Sequence, residues 1–268
     1  MVVNSHNPEF GYELISVIPF AYWLKCNDML TRTISGVGSE PFYYFSPDHE
    51  INPEPRSWYN VAKMDTPNRN IHRPELSMGR FTAPPYREVY ANEKYHFDLV
   101  IYNRYNNEWP GVPELNRPIN YFSLELLREI FTYFRGKILY CNVDGRHDLQ
   151  DNSPSIPLGD WELVEEFTKY PRTASAFITS IHDLEEDYNT AQMMAFANCK
   201  LFLTLNGGGS ILCSYFGGRN VIYTSPRTIG GRVYPRENQT GDFGYYNLFG
   251  GSEIVNVHTY RDVLENVL

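Results

Sequence analysis

From residue 99 to the end, the chain alternates short, continuous apolar runs with helical patterns, and this alternation constrains its fold more than any other feature. Leu99-Val100-Ile101-Tyr102 reads as a strand. Ser123 caps a helix that carries Leu124, Leu127, Ile130, Phe131 and Phe134 at helical spacing, and Gly136 ends it. The strand 137–141 follows, then a helix near 161–169 and the strand 176–179. Asp187 or Asn189 opens the next helix. After it come the strand 201–205, a short helix through Tyr215, and the strands 220–223 and 254–257. Thr259 caps a terminal helix. Strands apolar along their whole length are buried on both faces, so the pattern predicts an α/β fold with a parallel sheet covered by helices.

The first third is less regular. Val2-Val3-Asn4 reads as a strand, residues 13–24 as a helix and Phe42-Tyr43-Tyr44-Phe45 as a second strand, which makes one βαβ unit. Residues 48–85 are rich in Pro, Asn and Arg and read as a surface excursion, either a lid or acceptor-site wall or a plain insertion. The Pro- and Gly-broken stretch 110–118 is the expected boundary between an N-terminal domain, 1–118, and a C-terminal domain, 119–268. The expectation is therefore two Rossmann-like halves with parallel sheets, the N-terminal one reduced.

Charge excludes some partners. The net charge is −9 and no basic stripe exists, so nucleic acid is not expected as a partner. The longest apolar stretch, 14–24, is interrupted by Pro19 and too short to span a bilayer. The opening Met1-Val2-Val3-Asn4 has no basic region before a long apolar run, so no signal peptide is read and a cytoplasmic location is expected. Cys26, Cys141, Cys199 and Cys213 are far apart with no CxxC spacing, the pattern of free thiols rather than a structural zinc site.

The most informative motif is Asn206-Gly207-Gly208-Gly209-Ser210, between the strand 201–205 and the next helix. Glycines let backbone approach a ligand, and a helix start presents N–H groups and a positive dipole end to an anion such as a pyrophosphate. The alternative is a tight turn that uses glycine for packing. No Gly-Lys-Ser/Thr follows, so this is not a Walker loop, and Leu212 stands where a GxSxG elbow needs its last glycine. Arg146, after the strand 137–141, is placed to meet a diphosphate bidentately. His182 and Glu185, after the strand 176–179, are candidates for the base or ribose, against the alternative of a solvated acidic loop. His6, Glu9 and Glu13 cluster after the first strand, where a carboxylate or imidazole can deprotonate a hydroxyl. The alternative for Glu13 is a first-turn acid favoured by the helix dipole. No DxD between strands is present, so no metal ligands are assigned.

These residues resemble metal-independent GT-B glycosyltransferases, loosely including the heptosyltransferase and fucosyltransferase-like groups. Phe10-Gly11-Tyr12-Glu13-Leu14 leading to Pro19 is similar to the first-strand loop of heptosyltransferases, where a Gly-Asp pair precedes a proline at the same acid-to-proline spacing. This chain has Glu for Asp and an extra Tyr12, which keeps Glu9 and His6 as rivals to Glu13. Residues 197–202 through Gly208-Gly209-Ser210, then Phe216-Gly217-Gly218, resemble the donor-phosphate segment. The resemblance implies an inverting transfer from a nucleoside-diphosphate sugar to a glycan hydroxyl, with no cofactor beyond the donor and a terminal helix packing back on the first domain. The Asn- and Tyr-rich composition points to a large DNA virus or an AT-rich bacterium. The other readings are a non-catalytic nucleotide- or glycan-binding module and a pyruvyl-type transferase on the same scaffold.

Overall fold

The computed structural model describes residues 1–67, 79–103, 120–142, 159–169, 176–225, 227–229, 232–234 and 243–268. Within them lie a three-stranded sheet, a six-stranded sheet and a small antiparallel pair. The three-stranded sheet holds β1 (Val2–Asn4), β2 (Arg32–Gly36) and β3 (His49–Asn52), all parallel and in sequence order. The six-stranded sheet holds β4 (Leu99–Asn103), β5 (Gly136–Asn142), β6 (Ala176–Ser180), β7 (Leu201–Leu205), β8 (Arg219–Tyr223) and β11 (Glu253–Val257). The antiparallel pair is β9 (Arg227–Ile229) and β10 (Arg232–Tyr234).

The large sheet is parallel throughout, in the order β11-β8-β7-β4-β5-β6. Counted from its own first strand, that order is 3-2-1-4-5-6, the arrangement of dinucleotide-binding Rossmann folds. Its switch point, where the chain reverses direction across the sheet, lies between β4 and β7.

The helices are α1 (Phe10–Tyr12), α2 (Ile18–Cys26), α3 (Tyr86–Tyr90), α4 (Leu124–Tyr133), α5 (Asp160–Lys169), α6 (Tyr188–Ala197), α7 (Gly208–Ser214), α8 (Asn247–Gly250) and α9 (Tyr260–Val267). The expected caps form. Ser123 accepts from Leu126 N at 3.2 Å, Asp187 from Thr190 N at 3.1 Å and Thr259 from Asp262 N at 3.1 Å. Each satisfies an N–H that the helix leaves without a partner.

Alternation along the strands divides the core in two. Leu99 and Ile101 of β4 face one cluster, with Leu127 and Phe131 of α4, Phe167 of α5 and Val263 of α9. Val100 and Tyr102 face the other, with Leu14, Phe42, Tyr43, Phe196 and Ile211. That second cluster runs from Val3 to Phe249 and includes residues packed on both sheets.

Three expectations change. The second N-terminal strand is Arg32–Gly36, and Phe42 and Tyr43 lie instead in a 3-10 turn, Glu40–Tyr43, opened by Pro41, which has no N–H to give a strand ladder. β4, on the N-terminal side of the expected boundary at 118, lies in the middle of the large sheet, so the two sheets divide upstream of Leu99. The terminal helix α9 packs on β7, β8 and β11 and on α4 rather than on the N-terminal part, because Val263 and Val267 complete the apolar layer over those strands. The stretch 110–118 itself lies outside the described residues.

Candidate functional site

The carboxyl edges of the two sheets meet through two helix starts. After β1 the chain turns at His6 and Asn7, both in the left-handed region with φ of 61° and 50°. Side chains of this kind tolerate that conformation but are strained by it. Two local bonds hold the turn: His6 N donates to Asn4 Oδ1 at 2.8 Å and Asn7 N to Ser5 Oγ at 3.2 Å. The chain then enters α1, a π turn over Glu13–Val17 and α2 without a break. Pro19 has no N–H to give the π turn, and the Leu14 carbonyl, five residues back, accepts the Tyr215 hydroxyl at 2.5 Å instead. This bond ties the first helix to the end of α7.

α7 begins beside the switch point. Gly207, with φ 146°, is its N-cap, and a Cβ on Gly209 would stand 2.4 Å from the Tyr102 ring of β4. A Cβ on Gly208 would lie 3.4 Å from the Phe10 ring and 3.5 Å from Gly11 N, and one on Gly11 3.8 Å from Gly208 N. The first turns of the two helices therefore converge glycine to glycine. First-turn N–H groups have no intrahelical acceptor, so the convergence favours a negative group. Asn220, fully buried on β8, fixes α7 in this place. Its Nδ2 donates to Ser210 O and Ser214 Oγ, both at 2.9 Å, and its Oδ1 accepts from Thr204 Oγ1 at 2.8 Å.

Ser210 is not aimed at a ligand. It is fully buried, its hydroxyl donates to Gly207 O at 2.8 Å and it accepts from Gly207 N at 3.2 Å. It closes the loop on itself. Asn206 is half-buried, and its backbone N donates to Tyr223 O at 3.2 Å. Arg146 lies outside the described residues. His182 is exposed with its ring against Trp161 and Tyr188, at centroid distances of 5.1 and 6.0 Å. Glu185 is exposed and accepts from Lys94 Nζ at 2.8 Å. Both follow β6, three strands from β7, which at sheet spacing is roughly 14 Å from the start of α7. The structure does not bring them to the glycine loop.

Glu13 is closed off from solvent in the interior. It is fully buried, its Oε2 paired with Nη1 of the equally buried Arg56, and its Oε1 accepts from Ser35 Oγ and, at 2.6 Å, from the Tyr43 hydroxyl. Burial, then the Glu13 charge, raises the Tyr43 pKa, so that hydroxyl stays a donor. The Tyr43 ring stacks on His49 at 4.9 Å, and His49 is held between Thr33 Oγ1 at 2.7 Å and Ser39 Oγ at 3.0 Å. Glu9 and His6 are half-buried on the same loop. Glu9 lies beside Tyr12, whose pKa is raised by burial and then by that carboxylate.

Arg56, Asn7, Ser35 and Asn220 carry this architecture, and none was a sequence candidate. Arg56 gave no signal, since an arginine in a Pro-rich stretch reads as exposed. Asn7, in the His-Asn-Pro turn, did carry the mark of a left-handed position. Among the described residues no group of three or more His, Cys, Asp or Glu is placed to hold a metal ion. No described helix is long and apolar enough to cross a membrane. No protein-family model matches this chain, and neither a curated protein nor a solved structure matches it.

Proposed function

We propose that this chain is a glycosyltransferase that takes a sugar from a nucleoside diphosphate and passes it to a glycan hydroxyl. The reading rests above all on the meeting of Gly208 and Gly11 at the switch point of a sheet with the order 3-2-1-4-5-6. Ligands of open α/β sheets bind outside the carboxyl ends of the strands at that point. There the diphosphate would lie across the first turn of α7, with N–H groups stabilising the leaving group as charge develops. The acceptor would come from the side of the three-stranded sheet, with Glu9 or His6 as the base. Glu13 is reassigned as the buried partner of Arg56 that shapes their loop. Base and leaving group on opposite sides of the anomeric carbon make the transfer inverting.

A thermal-shift series with nucleoside diphosphates and their sugars, with and without divalent metal, tests the donor site. One nucleotide should raise Tm as the logarithm of its concentration. Gly208→Ala meets only ordinary contacts at 3.4 Å and beyond, so the protein should fold normally, yet the methyl should abolish the shift. A wild-type protein indifferent to every nucleotide would sink the reading. The burial of Glu13 favours one second reading, a binding module without turnover. That reading expects the nucleotide shift with no sugar transfer, and Glu9→Gln and His6→Gln variants that bind as the wild type does.

A further inference from the structure

Trp58 stands in the open, followed by the exposed Tyr59, on a segment whose backbone is bolted down. It is 59% exposed, at the start of a 3-10 turn over Trp58–Lys63. Its neighbours on both sides are fixed. Arg56 is buried against Glu13, and its Nη1 donates to Pro8 O at 3.2 Å. Ser57 N and Asn60 Nδ2 both donate to Asn7 O, at 2.9 and 3.3 Å, and Ser57 Oγ accepts from Tyr59 N at 3.3 Å. Asn7 Nδ2 in turn donates to Asn52 O at 3.1 Å and Glu54 O at 2.5 Å. The left-handed Asn7 is thus a clamp that fastens residues 52–60 to the loop bearing His6 and Glu9. The Trp58 ring meets Tyr12 edge-on, with centroids 6.2 Å apart, and Tyr12 lies beside Glu9. One indole is therefore held in water by a clamped segment, edge-on to a phenol.

We propose that Trp58, with Tyr12, forms a sugar-stacking subsite for a neutral pyranose ring. The negative face of an indole attracts the C–H bonds on the flat face of a pyranose, while the phenol at its edge can take a ring hydroxyl. The position, on the carboxyl side of the three-stranded sheet, is the acceptor side of the transferase proposed above. The word acceptor rests on that reading, whereas the binding of a sugar does not.

The test titrates the full chain with maltohexaose, cellohexaose, chitohexaose and xylohexaose. Binding is read by ligand-observed NMR and, in the wild type, by tryptophan fluorescence. At least one oligosaccharide should bind and quench the wild type. Trp58→Ala should weaken it by about tenfold or more with Tm unchanged, Trp58→Phe should recover most of the loss, and Tyr133→Ala on the exposed face of α4 should have no effect. Equal binding by Trp58→Ala, no binding of any of the four sugars, or a tryptophan blue shift that Trp58→Ala abolishes and that appears only with phosphatidylcholine vesicles would each overturn the subsite. A nucleotide shift in Tm without sugar binding leaves the donor reading standing and this one refuted. Sugar binding without any nucleotide shift does the reverse.

Discussion

At the residue scale, the decisive features are charges and hydroxyls closed off from water. The Glu13–Arg56 pair is buried on both sides, and such a pair contributes through its completeness, because a lone buried charge has nothing to replace its hydration. Arg56→Met should therefore destabilise the protein by roughly 3–5 kcal/mol, while the double variant Glu13→Leu/Arg56→Met should recover much of that loss. Urea denaturation of the three proteins measures both. His49 adds a pH dependence. Burial lowers its pKa from 6.5, against the opposing charges of Glu40, Glu13 and Asp48. Below pH 6.5 the unfolded chain then binds a proton that the folded one does not, so stability is full above that pH and falls as pH drops toward the folded pKa. Stability measured from pH 7.5 to 5 should decline in the wild type more than in His49→Gln.

At the element scale, short pieces are positioned by side chains rather than by their own length. α7 has seven residues, too few to be stable alone, and its place depends on Asn220, Tyr215 and the glycines that seat it on Tyr102. Asn220→Ala removes three hydrogen bonds at once and leaves Thr204 and the Ser210 carbonyl without this partner. It should cost about 3 kcal/mol by denaturant unfolding. Because it loosens the helix that faces Gly11, it should weaken nucleotide binding beyond its effect on stability. Equal binding at a temperature where both proteins are folded would show that Asn220 serves packing alone.

At the scale of the whole molecule, the two sheets share one apolar cluster from Val3 to Phe249. Leu14 of the first helix and Ile211 of α7 belong to the same layer, and the Tyr215–Leu14 bond crosses it. Arg87 adds a further tie from α3, with Nη2 donating to Cys199 O at 2.6 Å. Halves joined in this way should not melt apart. Scanning calorimetry should give one transition whose calorimetric and van't Hoff enthalpies agree, and two resolved transitions would mean that the sheets fold as separate domains.

The sequence by itself determined the six strands of the large sheet and the helices between them, since apolar runs, helical spacing and the caps at Ser123, Asp187 and Thr259 are local signals read within a few residues, while β9, β10 and α8 carried no such signal. It also marked the start of α7, because three glycines in a row are visible without any partner. Only the tertiary structure decided what those glycines face, where the sheets divide, and that Glu13 is an interior ion-pair partner rather than an open base. Burial is a property of what packs against a residue, and the partners of Glu13 come from positions 35, 43 and 56, which no local pattern connects to position 13.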